Sequence, residues 1–165
     1  MKDQGRDLPA APAGPLLAMY TDGASRGNPG RAGAGIRITD GKGKTLVELS
    51  RYLGCKTNNE AEYWALLLGL REAKRIKGQC LHVFTDSELI ERQVRGVYRV
   101  KDQKLKALHT AVVREISGFS SFEIESIPRE ENQEADRLAN EAIERKISRE
   151  GEGGKSRRRT DGRSS

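Results

Sequence analysis

Short apolar runs alternate with charged, glycine-punctuated stretches between Leu16 and Ile147, and the spacing within each run predicts its element. Leu16 to Tyr20 is continuously apolar and breaks at Thr21-Asp22-Gly23. That pattern predicts a strand buried on both faces, closed by a glycine turn, with Asp22 at its carboxyl end. Beyond a GNPG turn, Ala34 to Thr39 and Thr45 to Tyr52 flank Gly41-Lys42-Gly43 and read as a hairpin. Asn58 to Ile76 carries a helical period, with Glu62, Leu66, Gly69, Leu70 and Ala73 on one stripe. Glu60 falls about 200° away around the same helix, on the face of Trp64 and Arg71. Leu81 to Phe84 is another short buried strand, with Asp86 just past its carboxyl end and a helix beginning near Ser87.

Gly96 separates that helix from the basic segment Val97 to Lys101, and Asp102 is placed to cap a helix striped by Leu105, Leu108, Val112 and Ile116. Phe122 to Ile127 reads as a last strand. After Pro128, the acidic Glu130-Glu131 and the stripe Ala135, Leu138, Ala139, Ala142, Ile143 define a final helix with Asp136 in its early turns. The order is three strands, helix, strand, two helices, strand, helix. If the first and fourth strands are parallel neighbours, their connections diverge and open the crevice at which α/β sheets bind ligands. Asp22 and Asp86 would face one another there.

Composition narrows the function. An apolar content of 35% in 165 residues suits one core of ordinary size, and no apolar run approaches the roughly 20 residues that span a bilayer. No membrane association is expected. Residues 1–15 read as a flexible leader, 16–147 as the single domain, and 148–165 as a basic disordered tail. The formal net charge of +6 suggests a polyanionic partner, but the tail supplies much of it, with six basic against three acidic residues. Cys55 and Cys80 match neither a zinc spacing nor a disulfide framework, so a reducing, cytoplasmic location and free thiols are expected. His82 within a strand and His109 beside an apolar stripe read as structural.

The chemistry concentrates in four acids at the edges of apolar elements: Asp22, Glu62, Asp86 and Asp136. Converging at one end of a sheet, they would repel one another, and a bound cation is the natural relief. An all-oxygen set left partly open favours Mg²⁺ or Mn²⁺ over zinc.

The strings YTDGASRGNPGRAGAG, TNNEAEYWALLLGL, FTDSELIERQVRG and IPREENQEADRLANEA, in this order and spacing, resemble the type 1 ribonuclease H family over roughly residues 16–147. The resemblance implies an α/β fold of the ribonuclease H kind, a five-stranded mixed sheet flanked by helices. It also implies endonucleolytic hydrolysis of the RNA strand of RNA–DNA hybrids, leaving 5′-phosphate and 3′-hydroxyl ends. Asp22 then corresponds to the carboxylate bridging two metal ions, Glu62 and Asp86 to further ligands of the leaving-group-side ion, and Asp136 to the ligand of the nucleophile-side ion. Family spacing agrees with the helical face in selecting Glu62 over Glu60.

Thr57, Asn58 and Asn59 correspond to residues lying against the minor groove and the DNA backbone, and Gly23, Ala24 and Ser25 to a reader of the RNA 2′-hydroxyl. Asn28 is a further substrate candidate, although Asn-Pro-Gly also has a sufficient turn explanation.

Two departures mark a short prokaryotic subgroup. The mobile histidine that many members carry before the last aspartate is missing from IPREEN, and Arg129 occupies that neighbourhood as a phosphate contact or as a plain surface arginine. Gly96 to Asp102 is too short for the basic handle that some members use, for which Arg95, Arg99, Lys101, Lys104 and Lys106 offer a partial replacement. A monomer acting on hybrids is the expectation. The alternatives are a hybrid-binding module with little catalysis and another nuclease of the same fold.

Overall fold

The computed structural model describes residues 14–163, so all but the last two residues of the expected leader lie outside it. Strands β1 (Leu16–Gly27), β2 (Gly30–Thr39) and β3 (Thr45–Lys56) form an antiparallel meander. Helix α1 (Asn58–Arg75) leads to β4 (Cys80–Thr85), and α2 (Glu88–Val94) and α3 (Gln103–Ile116) lead to β5 (Ser121–Ser126). A 3₁₀ turn at Arg129–Glu131 introduces α4 (Gln133–Arg163). The five strands form one mixed sheet in the order β3-β2-β1-β4-β5, with β1, β4 and β5 mutually parallel.

Side-chain alternation divides the core between the two faces of this sheet. Met19, Ile36, Ile38, Leu81 and Val83 meet Leu66, Leu67 and Leu70 of α1 and Val112 of α3 on one face. On the other face, α4 presents the buried Ala135, Leu138, Ala139, Ala142 and Ile143 to β2. This second contact is made backbone to backbone, because a Cβ on Gly35 would lie only 2.0 Å from the Ala135 carbonyl oxygen. Such close docking fixes where the first turns of α4, and hence Asp136, stand relative to β1.

Two boundaries differ from the sequence reading. The turn expected at Thr21-Asp22-Gly23 is absent: β1 continues to Gly27 and pairs with β2 in register from Ala18↔Thr39 to Gly27↔Gly30. Gly23 is there for another reason, since a Cβ at that position would sit 2.2 Å from the Ala61 carbonyl carbon of α1. Asp22 nonetheless stands just past the last β1–β4 pair, Tyr20↔Phe84, where the parallel ladder ends.

The final helix does not stop near Ile147, where the disordered tail was expected to begin, but runs to Arg163. The turn after Ile147 contains Arg149 and Glu150, both good helix formers, and Glu150 pairs with Arg31 of β2 at 2.5 Å.

Candidate metal centre and nucleic-acid cleft

Each acid reaches the site by a different local device. Asp22 extends from β1 beyond the parallel ladder and is only 4% exposed. Glu62 lies one turn into α1, whose start is fixed by a capping box: Thr57 Oγ1 accepts from Glu60 N at 3.1 Å, and Glu60 Oε1 accepts from Thr57 N at 2.9 Å. Glu60 is thereby committed to the helix end, and Glu62, two residues on and about 200° around the helix, faces β1. Gly23 N donates to Glu62 Oε1 at 3.1 Å. Asp86 occupies the link between β4 and α2, directly before Ser87, which caps α2 by accepting from Ile90 N at 3.1 Å.

Asp22, Glu62 and Asp86 each offer a carboxylate oxygen, and these three oxygens lie within 4.8 Å of one another. Asp136 stands outside this trio on the α4 side, close enough to Asp22 to act on its carboxyl. All four line an open cleft of about 460 Å³, together with Gly23, Ala24, Ser25, Arg26, Asn58, Arg129 and Asn140.

The electrostatics are those of a crowded anionic site. Burial, reinforced by the charges of Glu62 and Asp86 and by Asp136, pushes the Asp22 carboxyl up to about 10. Burial and the Asp86 charge push Glu62 up to about 8, against the opposing pull of the Gly23 N–H, Asp22 and the Arg129 guanidinium. Without a cation, the centre therefore retains protons at neutral pH. The donors are all oxygens, the chemistry of a hard divalent ion.

The remaining sequence candidates divide between two clefts. Gly23, Ala24, Ser25, Asn58 and Arg129 line the acidic cleft. Asn28, Thr57 and Asn59 instead line a second cleft of about 600 Å³ with Glu60, Asp102, Gln103, Lys104 and Leu105. Asn28 joins the two by accepting from Asn58 N at 3.0 Å, so its side chain does more than shape a turn. Neither histidine lines either cleft: His82 bonds Glu125 at 3.0 Å and His109 the Gln93 carbonyl at 3.1 Å. Both cysteines are free, Cys55 exposed and Cys80 buried.

Three polar residues at the site escaped the sequence reading. Asn132, only 1% exposed, donates from Nδ2 to the Thr21 carbonyl at 2.9 Å and to Asp86 Oδ2 at 3.1 Å. Asn140 donates from Nδ2 to Asp136 Oδ1 at 3.3 Å and accepts from Arg26 at 3.1 Å. The available signal was positional: Asn132 and Asn140 lie four residues before and after Asp136 on one helical stripe, and Arg26 shares a strand face with Asp22.

Residues 20–142 match the model of the reverse transcriptase-like family. Ribonuclease HI of Halobacterium salinarum is 38% identical over 131 residues, 79% of this chain and 66% of that protein. The chain spans only 35% of the bifunctional protein Rv2228c of Mycobacterium tuberculosis, to which it is 39% identical over 129 residues. Among solved structures, Halobacterium salinarum RNase H1 superimposes with a TM-score of 0.77, covering 78% of this chain and 98% of that one at 36% identity. LC11-RNase H1 in complex with an RNA/DNA hybrid gives 0.76 at 43% identity, covering 79% and 99%. Fold, acidic centre and relatives agree: the chain belongs to the reverse transcriptase-like family, as a domain of the type 1 ribonuclease H kind.

Proposed function

We propose that the protein is a divalent-metal-dependent endoribonuclease that hydrolyses the RNA strand of RNA–DNA hybrids. The observation carrying this reading is the trio Asp22, Glu62 and Asp86, with oxygens within 4.8 Å of one another in a cleft that Asp136 completes. Raised carboxyl pKa values and an all-oxygen donor set fit Mg²⁺, with Mn²⁺ as a substitute, held by the four acids. When bound, a pair of such ions stabilises charge on the attacking and departing oxygens of an in-line displacement, leaving 5′-phosphate and 3′-hydroxyl ends.

The chain's own residues do the rest. Arg129 lines the acidic cleft as a permanent cation and is suited to a phosphate of the RNA strand, though not to proton abstraction, because it stays protonated. Asn58 and the Gly23–Ser25 backbone border the same cleft, where 2′-hydroxyls of a wide minor groove would be read. Asn28, Thr57 and Asn59 border the second cleft, which would take the DNA strand. No helix among the described residues is long and apolar enough to cross a membrane; action as a cytoplasmic monomer belongs to the proposal.

The test is cleavage of a hybrid, a DNA duplex and an RNA duplex of one sequence in Mg²⁺ and in Mn²⁺, with end-group analysis of the products. Cleavage confined to the RNA of the hybrid is the expected result. Tight hybrid binding without cleavage in either metal would identify a binding module instead.

A further inference from the structure

Three of the four acids have direct anchors: Asp22 is buried in the sheet, Glu62 accepts from Gly23 N, and Asp86 accepts from Asn132. Asp136 lies outside the trio, and its anchor is the side chain of Asn140, one turn along α4. A terminal amide can turn over and present either its NH₂ or its oxygen to a neighbour. Here the choice is made by Arg26. Its guanidinium donates to Asn140 Oδ1 at 3.1 Å while pairing through its other terminal nitrogen with Glu144, a further turn along the helix. With its oxygen engaged by Arg26, Asn140 must present Nδ2 to Asp136, where it reaches both the backbone carbonyl at 3.0 Å and Oδ1 at 3.3 Å.

Arg26 stands on the strand face of Asp22, so the strap also spans β1 and α4, the two elements bearing Asp22 and Asp136. Its value as a stability device is small. The Arg26–Glu144 pair is 40% and 62% exposed, and exposed pairs contribute little.

We infer that Arg26 and Asn140 are positioning residues that orient the Asp136 carboxylate toward the divalent-ion site, with Arg26 acting through Asn140. The inference rests on the metal-dependent reading above and assigns the strap to the one acid outside the trio. Losing either residue leaves the fold intact but lets the Asp136 carboxylate rotate away. More divalent ion is then needed to fill the site.

The experiment uses the full chain and compares the wild type with Asn140→Ala, Arg26→Ala, Arg26→Lys and the double Arg26→Ala/Asn140→Ala protein. Mn²⁺ affinity is read by electron paramagnetic resonance, on the protein alone and with an uncleavable hybrid bound, and the Mg²⁺ dependence of hybrid cleavage is read in parallel. Asn140→Ala should weaken Mn²⁺ binding about 3- to 10-fold and raise the half-maximal Mg²⁺ concentration by a similar factor, with KM for the hybrid unchanged at saturating Mg²⁺. Arg26→Ala should follow in the same direction, Arg26→Lys should recover part of the loss, and the double variant should be no worse than Asn140→Ala, since the two act in series.

Unchanged Mn²⁺ affinity in folded Asn140→Ala would overturn the inference. So would additive losses in the double variant, or an Arg26→Ala effect confined to KM, which would make Arg26 a substrate contact. Wild-type cleavage of the hybrid tests the parent reading separately, and the Mn²⁺ comparison decides the strap whichever way that result falls.

Discussion

The backbone N–H of Gly23 points across the β1–α1 contact at Glu62, 3.1 Å from Oε1. The bond exists because Gly23 has no side chain: α1 approaches so closely that a Cβ there would lie 2.2 Å from the Ala61 carbonyl carbon and 2.4 Å from Glu62 N. One missing methyl group thus permits helix docking and fixes the second acid beside the first.

Gly23→Ala therefore acts on both stability and site. The clash is with backbone, which cannot swing aside as a flexible side chain would. We expect a loss of about 1–3 kcal/mol from overpacking, together with a larger fall in cleavage than that destabilisation explains at temperatures where the variant remains folded. Urea unfolding and hybrid cleavage at 15 °C check the two parts. A variant as stable and as active as wild type would contradict the close-approach argument.

Asp22→Asn should abolish hybrid cleavage while making the metal-free protein more stable at neutral pH. Both Asp22 and Glu62 have folded pKa values above their ordinary 3.8 and 4.5, at about 10 and 8, chiefly through burial. For acids shifted upward, the favourable contribution to stability is fully present below about pH 4 and is lost as pH rises toward the folded values. Metal-free stability should accordingly decline from pH 5 to pH 9. Asp22→Asn should flatten that decline and gain on the order of 4 kcal/mol at pH 7, because the roughly three pH units between the ordinary Asp value and pH 7 count about 1.4 kcal/mol each. Thermal melts in EDTA across this range provide the check, and adding Mg²⁺ should stabilise the wild type more than the variant.

Much of this centre was legible in the chain because the relevant periodicities are short. The 100° step of a helix separates Glu62 from Glu60, and the short strand pattern Leu81 to Phe84 places Asp86 at a strand end without any knowledge of the fold. What the chain did not reveal are features whose cause lies in a distant segment. Gly23 reads locally as a turn, yet it continues β1 because α1, some forty residues on, requires the space. Apolar periodicity stops at Ile147, whereas the first turn beyond it holds the helix formers Arg149 and Glu150 and a partner in Arg31, a residue more than a hundred positions away. Arg26 drew no reading at all, since nothing nearby in the chain announces Asn140.

Asn132 should prove more costly to lose than its small size suggests. Its amide satisfies the Thr21 carbonyl and Asp86 together from a buried position. Asn132→Ala should cost about 1–3 kcal/mol, the usual consequence of stranding buried polar partners, and should raise the Mg²⁺ concentration needed for cleavage. Asn132→Asp keeps the shape but replaces the donor with a fifth acid beside Asp86, so its cleavage should fall below that of Asn132→Ala. Equal Mg²⁺ curves for wild type and both variants would refute a positioning role.

Truncation after Ile147 tests how far the end of α4 belongs to the working domain. Among the residues whose side chains are described, the tie to the sheet beyond that point is the Arg31–Glu150 pair, with both partners 45% exposed, and an exposed ion pair is worth roughly 0.2–1 kcal/mol. The buried stripe from Ala135 to Ile143, which docks α4 on β2, is untouched by the cut. A chain ending at Ile147 should therefore fold, lose no more than about 1 kcal/mol, and cleave hybrid at saturating Mg²⁺ with unchanged kcat. Removal of six basic residues should instead appear in KM, as weaker hybrid binding with a shallower dependence on salt. Loss of soluble, folded protein on truncation would show that the last helical turns carry stability that the Arg31–Glu150 pair cannot supply.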